Sequence, residues 1–183
     1  MEKKLVNHLL VAAPGMSDPF FGKSVIYILE HGEDGAMGLI INKPMIDDDI
    51  YQLISDVGFD KMQSKPSISF GGPVALMRGF ILHSTDYAID GTYRVSDSIS
   101  LTTDRKIIKE IVDGRGPAMY KFILGYAGWQ RGQLEQELKR GDWLISSASP
   151  DLIFQTADDK KWEDAIQMLG LDGMMFSGDG GMA

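Results

Sequence analysis

Two apolar runs separated by a tight polar interval restrict this chain more than anything else in it. Ser24 to Glu30 reads Ser-Val-Ile-Tyr-Ile-Leu-Glu, β-branched and apolar on both faces. Such a run suits a strand covered on both sides, at the centre of a sheet rather than at its edge. His31-Gly32-Glu33-Asp34-Gly35 follows, and its Asp-Gly pair signals a hairpin turn. Ala36 to Asn42 is then the returning strand, closed where Pro44 forces Lys43 into extended backbone.

The remaining pattern builds outward from that hairpin. Leu9 to Ala13 is a buried-strand candidate stopped by Pro14-Gly15. Ser67 to Phe70 and Gly79 to His83 read as strands joined through Gly71-Gly72-Pro73, and Tyr93 to Val95 with Ser98 to Leu101 as a short meander. Met119 to Ala127 and Trp143 to Ile145 are further strands. Helical spacing appears at Ile46, Ile50, Leu53, Ile54 and Val57, with Asp47-Asp48-Asp49 at the favourable dipole end and Gly58 as the stop. Thr103 is placed to cap a helix carrying Ile107, Ile108 and Ile111. Gln133 to Arg140 is a short amphipathic helix ended by Gly141, and Asp158 or Asp159 opens a last helix ended by Gly170. Leu152-Ile153-Phe154 is too short to type. Strands in hairpin-linked groups with helices inserted between them predict an α+β fold, with a mixed, mainly antiparallel sheet. One domain spans residues 1–183, and the Gly-rich tail from Ser177 to Ala183 is expected to be mobile.

Composition excludes several kinds of chemistry. The chain has no cysteine, which removes disulfides, thiol nucleophiles and thiolate metal sites together. Its formal net charge is −8, and its cations are scattered, so direct nucleic-acid binding is disfavoured. No stretch approaches the ~20 apolar residues of a membrane span. The apolar stretch behind Lys3-Lys4 is interrupted by Asn7 and His8 and is shorter than a signal-peptide core of about 7–15 residues. A cytoplasmic location is expected.

No catalytic set declares itself. Ser17 to Ser24 ends in Gly-Lys-Ser like a phosphate loop, but Ser17 stands where glycine is required and a strand follows where a helix is needed. Three adjacent aspartates on one helix point apart and cannot close on one ion. No metal and no cofactor is indicated. His31 and His83 each end an apolar strand, either as hydrogen-bonded strand ends or as groups able to shuttle protons near neutrality. Adjacent glycines at Gly71 and Gly72 imply special backbone or close approach of another group. Gly125 to Glu135 (Gly-Tyr-Ala-Gly-Trp-Gln-Arg-Gly-Gln-Leu-Glu) leaves a strand and enters a helix, either a packed corner with Trp129 in the core or a pocket walled by Trp129.

His31 to Asn42, Gly71 to Val74, Gly79 to His83 and Gly125 to Glu135, in this order, resemble the signatures of the YqgE/AlgH family, a bacterial group with no established reaction. The similarity runs from about Leu9 to Gly170. It implies a compact α+β fold around a small closed barrel-like sheet, a cytosolic location, and an inherited label of transcriptional regulator. The chain departs from the family at Gln130-Arg131, commonly Gly-Pro or Ser-Pro, and at Gly181-Met182-Ala183, often Gly-His-Ala.

The reading is a binding or regulatory module, acting indirectly on transcription through a protein or small-molecule partner. Its surface would draw on Asp18, His31, Asn42, Pro44, Gly71, Gly72, Pro73, His83, Gly128, Trp129 and Gln133 at strand exits. The alternative is a hydrolase or transferase using His31 or His83 as base, with Asp18 or Glu30.

Overall fold

The computed structural model describes residues 4–45, 62 and 66–170. The helix expected over Ile46 to Val57, its three aspartates and the tail from Ser177 lie outside the described residues.

The strands are β1 (His8–Ala12), β2 (Val25–Gly32), β3 (Gly35–Ile40), β4 (Ile68–Phe70), β5 (Val74–Ser84), β6 (Tyr93–Arg94), β7 (Ile99–Thr102), β8 (Tyr120–Gln130) and β9 (Trp143–Ser147). The described helices are α1 (Lys106–Val112), α2 (Gln133–Arg140), α3 (Pro150–Phe154) and α4 (Asp158–Met168). None is long and apolar enough to cross a membrane.

The strands form one curled sheet, ordered β6-β7-β5-β8-β3-β2-β1-β9, with β4 as an extra parallel partner of β8. All other pairs are antiparallel. The sheet is a half-barrel. It is not the closed barrel that the resemblance implies, because among the described residues the end strands β6 and β9 do not pair. β2 lies inside the sheet between β1 and β3, and Val25 to Leu29 are all buried, as a run apolar on both faces requires.

α4 covers β1 and β2, where the buried Trp162 donates its indole N–H to Ala12 O at 2.8 Å. α2 packs beside β8, β3 and β9. α1 builds a smaller core, placing Ile107, Ile108 and Ile111 on Ile68, Ile81, Phe122 and Leu124. Two local expectations need correction, and one segment left untyped is resolved. The β2–β3 hairpin turns on Glu33-Asp34, because Gly32 pairs with Gly35, so the turn lies one residue before the Asp-Gly pair. α1 has Arg105 at its start with no side-chain cap, and Asp104 rather than Thr103 accepts a nearby amide, that of Lys106 at 2.9 Å. Leu152 to Phe154 belong to α3, capped by Ser149 with Pro150 in its first turn.

The Gly71-Gly72-Pro73 link explains its own composition. Leu124 of β8 has Phe70 of β4 on one side and Gly79 of β5 on the other. The three residues between β4 and β5 must therefore carry the chain across β8, backbone against backbone. A Cβ on Gly71 would lie 2.2 Å from Gly125 O, and one on Gly72 2.1 Å from the Tyr126 carbonyl carbon. No side chain fits there.

Candidate functional site at the strand exits

The sequence-derived candidates separate into three groups. The first is the loop before β2. Asp18 folds this loop on itself: its Oδ1 accepts the amides of Phe20 at 2.8 Å and Phe21 at 3.0 Å. Asn42 ties the loop to the end of β3, accepting the Val25 amide at 2.9 Å and donating to Lys23 O at 2.8 Å. The Lys43 ammonium donates to Phe20 O, and burial holds its pKa below the usual lysine value against the opposing pull of Asp18. Pro44 pairs across to Ser69, and Gly71 bridges Ile40 and Leu124 through its carbonyl and amide. Asp18, Asn42, Gly71 and Gly72 thus spend their polar groups or their missing side chains on the protein itself. Pro73 is exposed beside them.

The second group surrounds the β2–β3 hairpin. The His31 ring is nearly buried, with a side chain 6% exposed. Its Nδ1 accepts the Leu5 amide at 3.0 Å, so the ring proton sits on Nε2, which donates to Glu135 Oε1 at 2.6 Å. The carboxylate that meets His31 is Glu135, not Asp18 or Glu30. That bond holds the Glu135 carboxyl below its ordinary pKa, against a smaller opposing effect of burial. Two residues further along α2, Glu137 Oε2 accepts two indole N–H bonds, from Trp129 and from Trp143, each at 2.8 Å. The two indoles meet edge to face with centroids 6.3 Å apart. Gln133 completes the corner, donating to Glu137 Oε1 and accepting the Gln130 amide, both at 3.0 Å. Trp129 is therefore a core residue, while Gly128 beside it is exposed.

Outside this corner lies a hollow of about 420 Å³. It is lined by His31, the small residues Gly32, Gly35 and Ala36, the side chains of Met37 and Trp129, and the exposed carboxylates of Glu30, Glu33 and Asp34. Among the described residues none of these three carboxylates has an ion-pair partner.

The third group is His83, buried completely. Its Nδ1–H donates to Ser84 O and its Nε2 accepts from the Thr102 hydroxyl, both at 2.8 Å. Thr92 hydrogen-bonds Thr102 at 2.8 Å and takes the Ile89 amide at 3.0 Å, closing the chain of bonds. Burial lowers the His83 pKa below the usual value, partly countered by the Ser84 bond and by Asp86. The ring is a neutral structural bridge between β5 and β7. No described cavity is lined by members of all three groups.

Sequence reasoning missed Glu135 and Glu137, which organise the second group, and Glu33 and Asp34 at the hollow, and it considered Glu30 only as the partner of a histidine base. The spacing of Gln133 and Glu137 on one helix face, beside tryptophans at 129 and 143, was the available signal.

A half-barrel of mainly antiparallel strands, hemmed by short helices and crossed by a glycine link, defines a class of small α+β protein whose polar groups serve architecture. The model of the AlgH-like family (DUF179) matches residues 9–174, and the chain belongs to that family. It is 44% identical to a UPF0301 protein of Jannaschia sp., over 98% of this chain and 95% of that one. It is 42% identical to a UPF0301 protein of Pseudoalteromonas translucida, over 99% and 100%. The solution structure of the AlgH protein from Pseudomonas aeruginosa superposes with a TM-score of 0.75 at 33% identity, covering all of this chain and 98% of that one. A crystal structure of protein DIP2367 from Corynebacterium diphtheriae, 23% identical over 91% and 88% of the two chains, shares the fold with a TM-score of 0.74.

Proposed function

We propose that this protein is a cytoplasmic binding module whose contact surface is the acidic hollow at the β2–β3 turn, and that its ligand is a lysine- or arginine-bearing segment of a partner protein. The observation that carries this reading is the set of three carboxylates, Glu30, Glu33 and Asp34, without ion-pair partners among the described residues, gathered at one hollow with the exposed Gly32. Gly32, with open space where a side chain would stand, leaves room for a second backbone, and the carboxylates offer charge-assisted bonds to an incoming cation. Regulation of transcription would then be indirect, through the partner, since a −8 chain repels nucleic-acid phosphates on average.

The alternative of a hydrolase or transferase has less support. A general base needs a lone pair within reach of substrate, and the nitrogens of His31 and His83 are engaged inside the protein.

An arginine-rich peptide, titrated by calorimetry in a salt series, tests the proposal. The triple variant Glu30→Gln, Glu33→Gln, Asp34→Asn should bind at least about tenfold more weakly, with a flatter salt dependence. A control neutralising Asp90, Asp151 and Glu163 keeps the net charge matched. Equal loss in both variants would reduce the effect to overall charge and remove the hollow from the account.

A further inference from the structure

At the opposite flank, the start of α4 meets β8 around a second cleft of about 270 Å³. Two lysines reach it, Lys121 from β8 and Lys161 from α4. Their side chains are 11% and 2% exposed. Both ammonium groups grip the same atom, Asp158 Oδ1, at 2.9 Å and 2.7 Å. Lys161 also donates to Thr156 O at 2.6 Å. Two cations facing one carboxylate leave one positive charge over, in a setting where an unbalanced charge is expensive to hold. Each ammonium has three N–H groups. Among the described residues Lys121 uses one of its three and Lys161 uses two, so three donors remain.

The surroundings fit the same charge sign. Ala157, at the start of α4, offers no side-chain cap, so the amide end of an 11-residue helix opens beside the lysines, its positive end partly offset by Asp158 and Asp159 in the first turn. The rest of the wall combines the rings of Tyr120, Phe122 and Phe154 with the hydroxyl-bearing Ser67 and Thr156. Burial pulls the Lys121 pKa below the usual lysine value, opposed by Asp158 and reinforced by Lys161. Asp158 stays below the usual carboxylate range because the bonds from Lys161 and Lys121 outweigh its burial.

We propose that this cleft binds a small organic anion, its carboxylate or phosphate head on the Lys121 and Lys161 ammonium groups and its apolar body against Tyr120 and the two phenylalanines. An anion balances the surplus charge and takes up the idle donors. The site is separate from the acidic hollow, takes ligands of opposite sign, and stands or falls independently of it.

The test is a titration of the full chain followed by amide NMR, with benzoate, phenyl phosphate and inorganic phosphate as probes and benzyl alcohol as the uncharged control. Saturable shifts at Ala157, Asp158 and Lys121 with at least one anion, and none with benzyl alcohol, are expected. Comparison of benzoate with the two phosphates identifies the preferred head group. Lys121→Met removes the surplus charge and leaves the Asp158–Lys161 pair intact, so it should fold and bind the preferred anion at least tenfold more weakly. Should that variant not fold, the wild-type shift map decides: shifts confined to this cleft support the site, and shifts elsewhere overturn it. No saturation by any anion, equal response to benzyl alcohol, or unchanged affinity in a folded Lys121→Met protein would each overturn it.

Discussion

Replacing Glu137 by leucine keeps the bulk of the side chain and deletes the acceptor shared by two tryptophans. Trp129 and Trp143 are 6% and 4% exposed, so neither indole N–H has ready access to water. Each donates at 2.8 Å to the same carboxylate oxygen. Hydrogen bonds to a charged group contribute about 1.5–3 kcal/mol each, and an orphaned buried donor costs about 1–3 kcal/mol. Glu137 itself is only half-buried, and water can replace part of what is lost. The two indole bonds together therefore set an expected loss of about 2–4 kcal/mol. The exposed Gln133 bond adds little. For a chain of this length about 1 kcal/mol moves the melting temperature by about 2–4 °C, so a fall of roughly 4–16 °C is expected. Urea unfolding followed by tryptophan fluorescence measures the loss directly, with the slope unchanged if only stability is affected. Glu137→Gln retains an acceptor oxygen and should lose less than half as much. A Glu137→Leu protein within about 0.5 kcal/mol of wild type, the range of an ordinary surface change, would refute the shared-acceptor argument.

Gly72→Ala should be severely destabilising or fail to fold, because the new Cβ would lie 2.1 Å from the Tyr126 carbonyl carbon at a φ of +152°. Gly128→Ala, whose Cβ would meet nothing nearer than 3.6 Å, should be neutral or slightly stabilising, and thermal melting of the pair separates the crossing glycine from the idle one. His83 has a folded pKa below its unfolded value, so below about pH 6.5 the unfolded chain binds a proton that the folded chain does not. Its contribution to stability should be complete above that pH and decline as the pH falls toward the lowered folded value. Urea titrations of wild type and His83→Asn should differ in slope across that window, and parallel profiles would contradict the assignment. Glu135 and Asp86 shift downward, the first through His31 and the second through the Ser84 hydroxyl, and they should add a further loss only at more acid pH.

How far the sequence could be read depended on the range of the interaction. β2, β3 and α2 were visible because local pattern and burial agree: a two-sided apolar run becomes an inner strand, and Gly141 ends its helix in left-handed backbone. The Gly71-Gly72 pair was recognised as special, but its cause is tertiary. Only the pairing of β8 with β4 and β5 on opposite edges reveals that the chain must cross a strand there. The polar candidates fared less well, since type and position do not disclose a partner 104 residues away, as with His31 and Glu135. Lys161 is one of the chain's scattered cations, and nothing local in the sequence marks it as nearly buried, with its ammonium held by Asp158 and Thr156 O. Trp129 offered two readings, core or pocket wall, and the structure places the indole in the core, with the ring also bordering the acidic hollow.

Amide NMR of the wild-type chain titrated with an arginine-rich peptide decides whether a cationic segment docks at the β2–β3 turn. Docking there should give saturable shifts centred on Gly32, Glu33, Asp34 and Gly35 that fade as salt is raised. Shifts centred elsewhere on the surface, with those four amides unmoved at saturation, would contradict it.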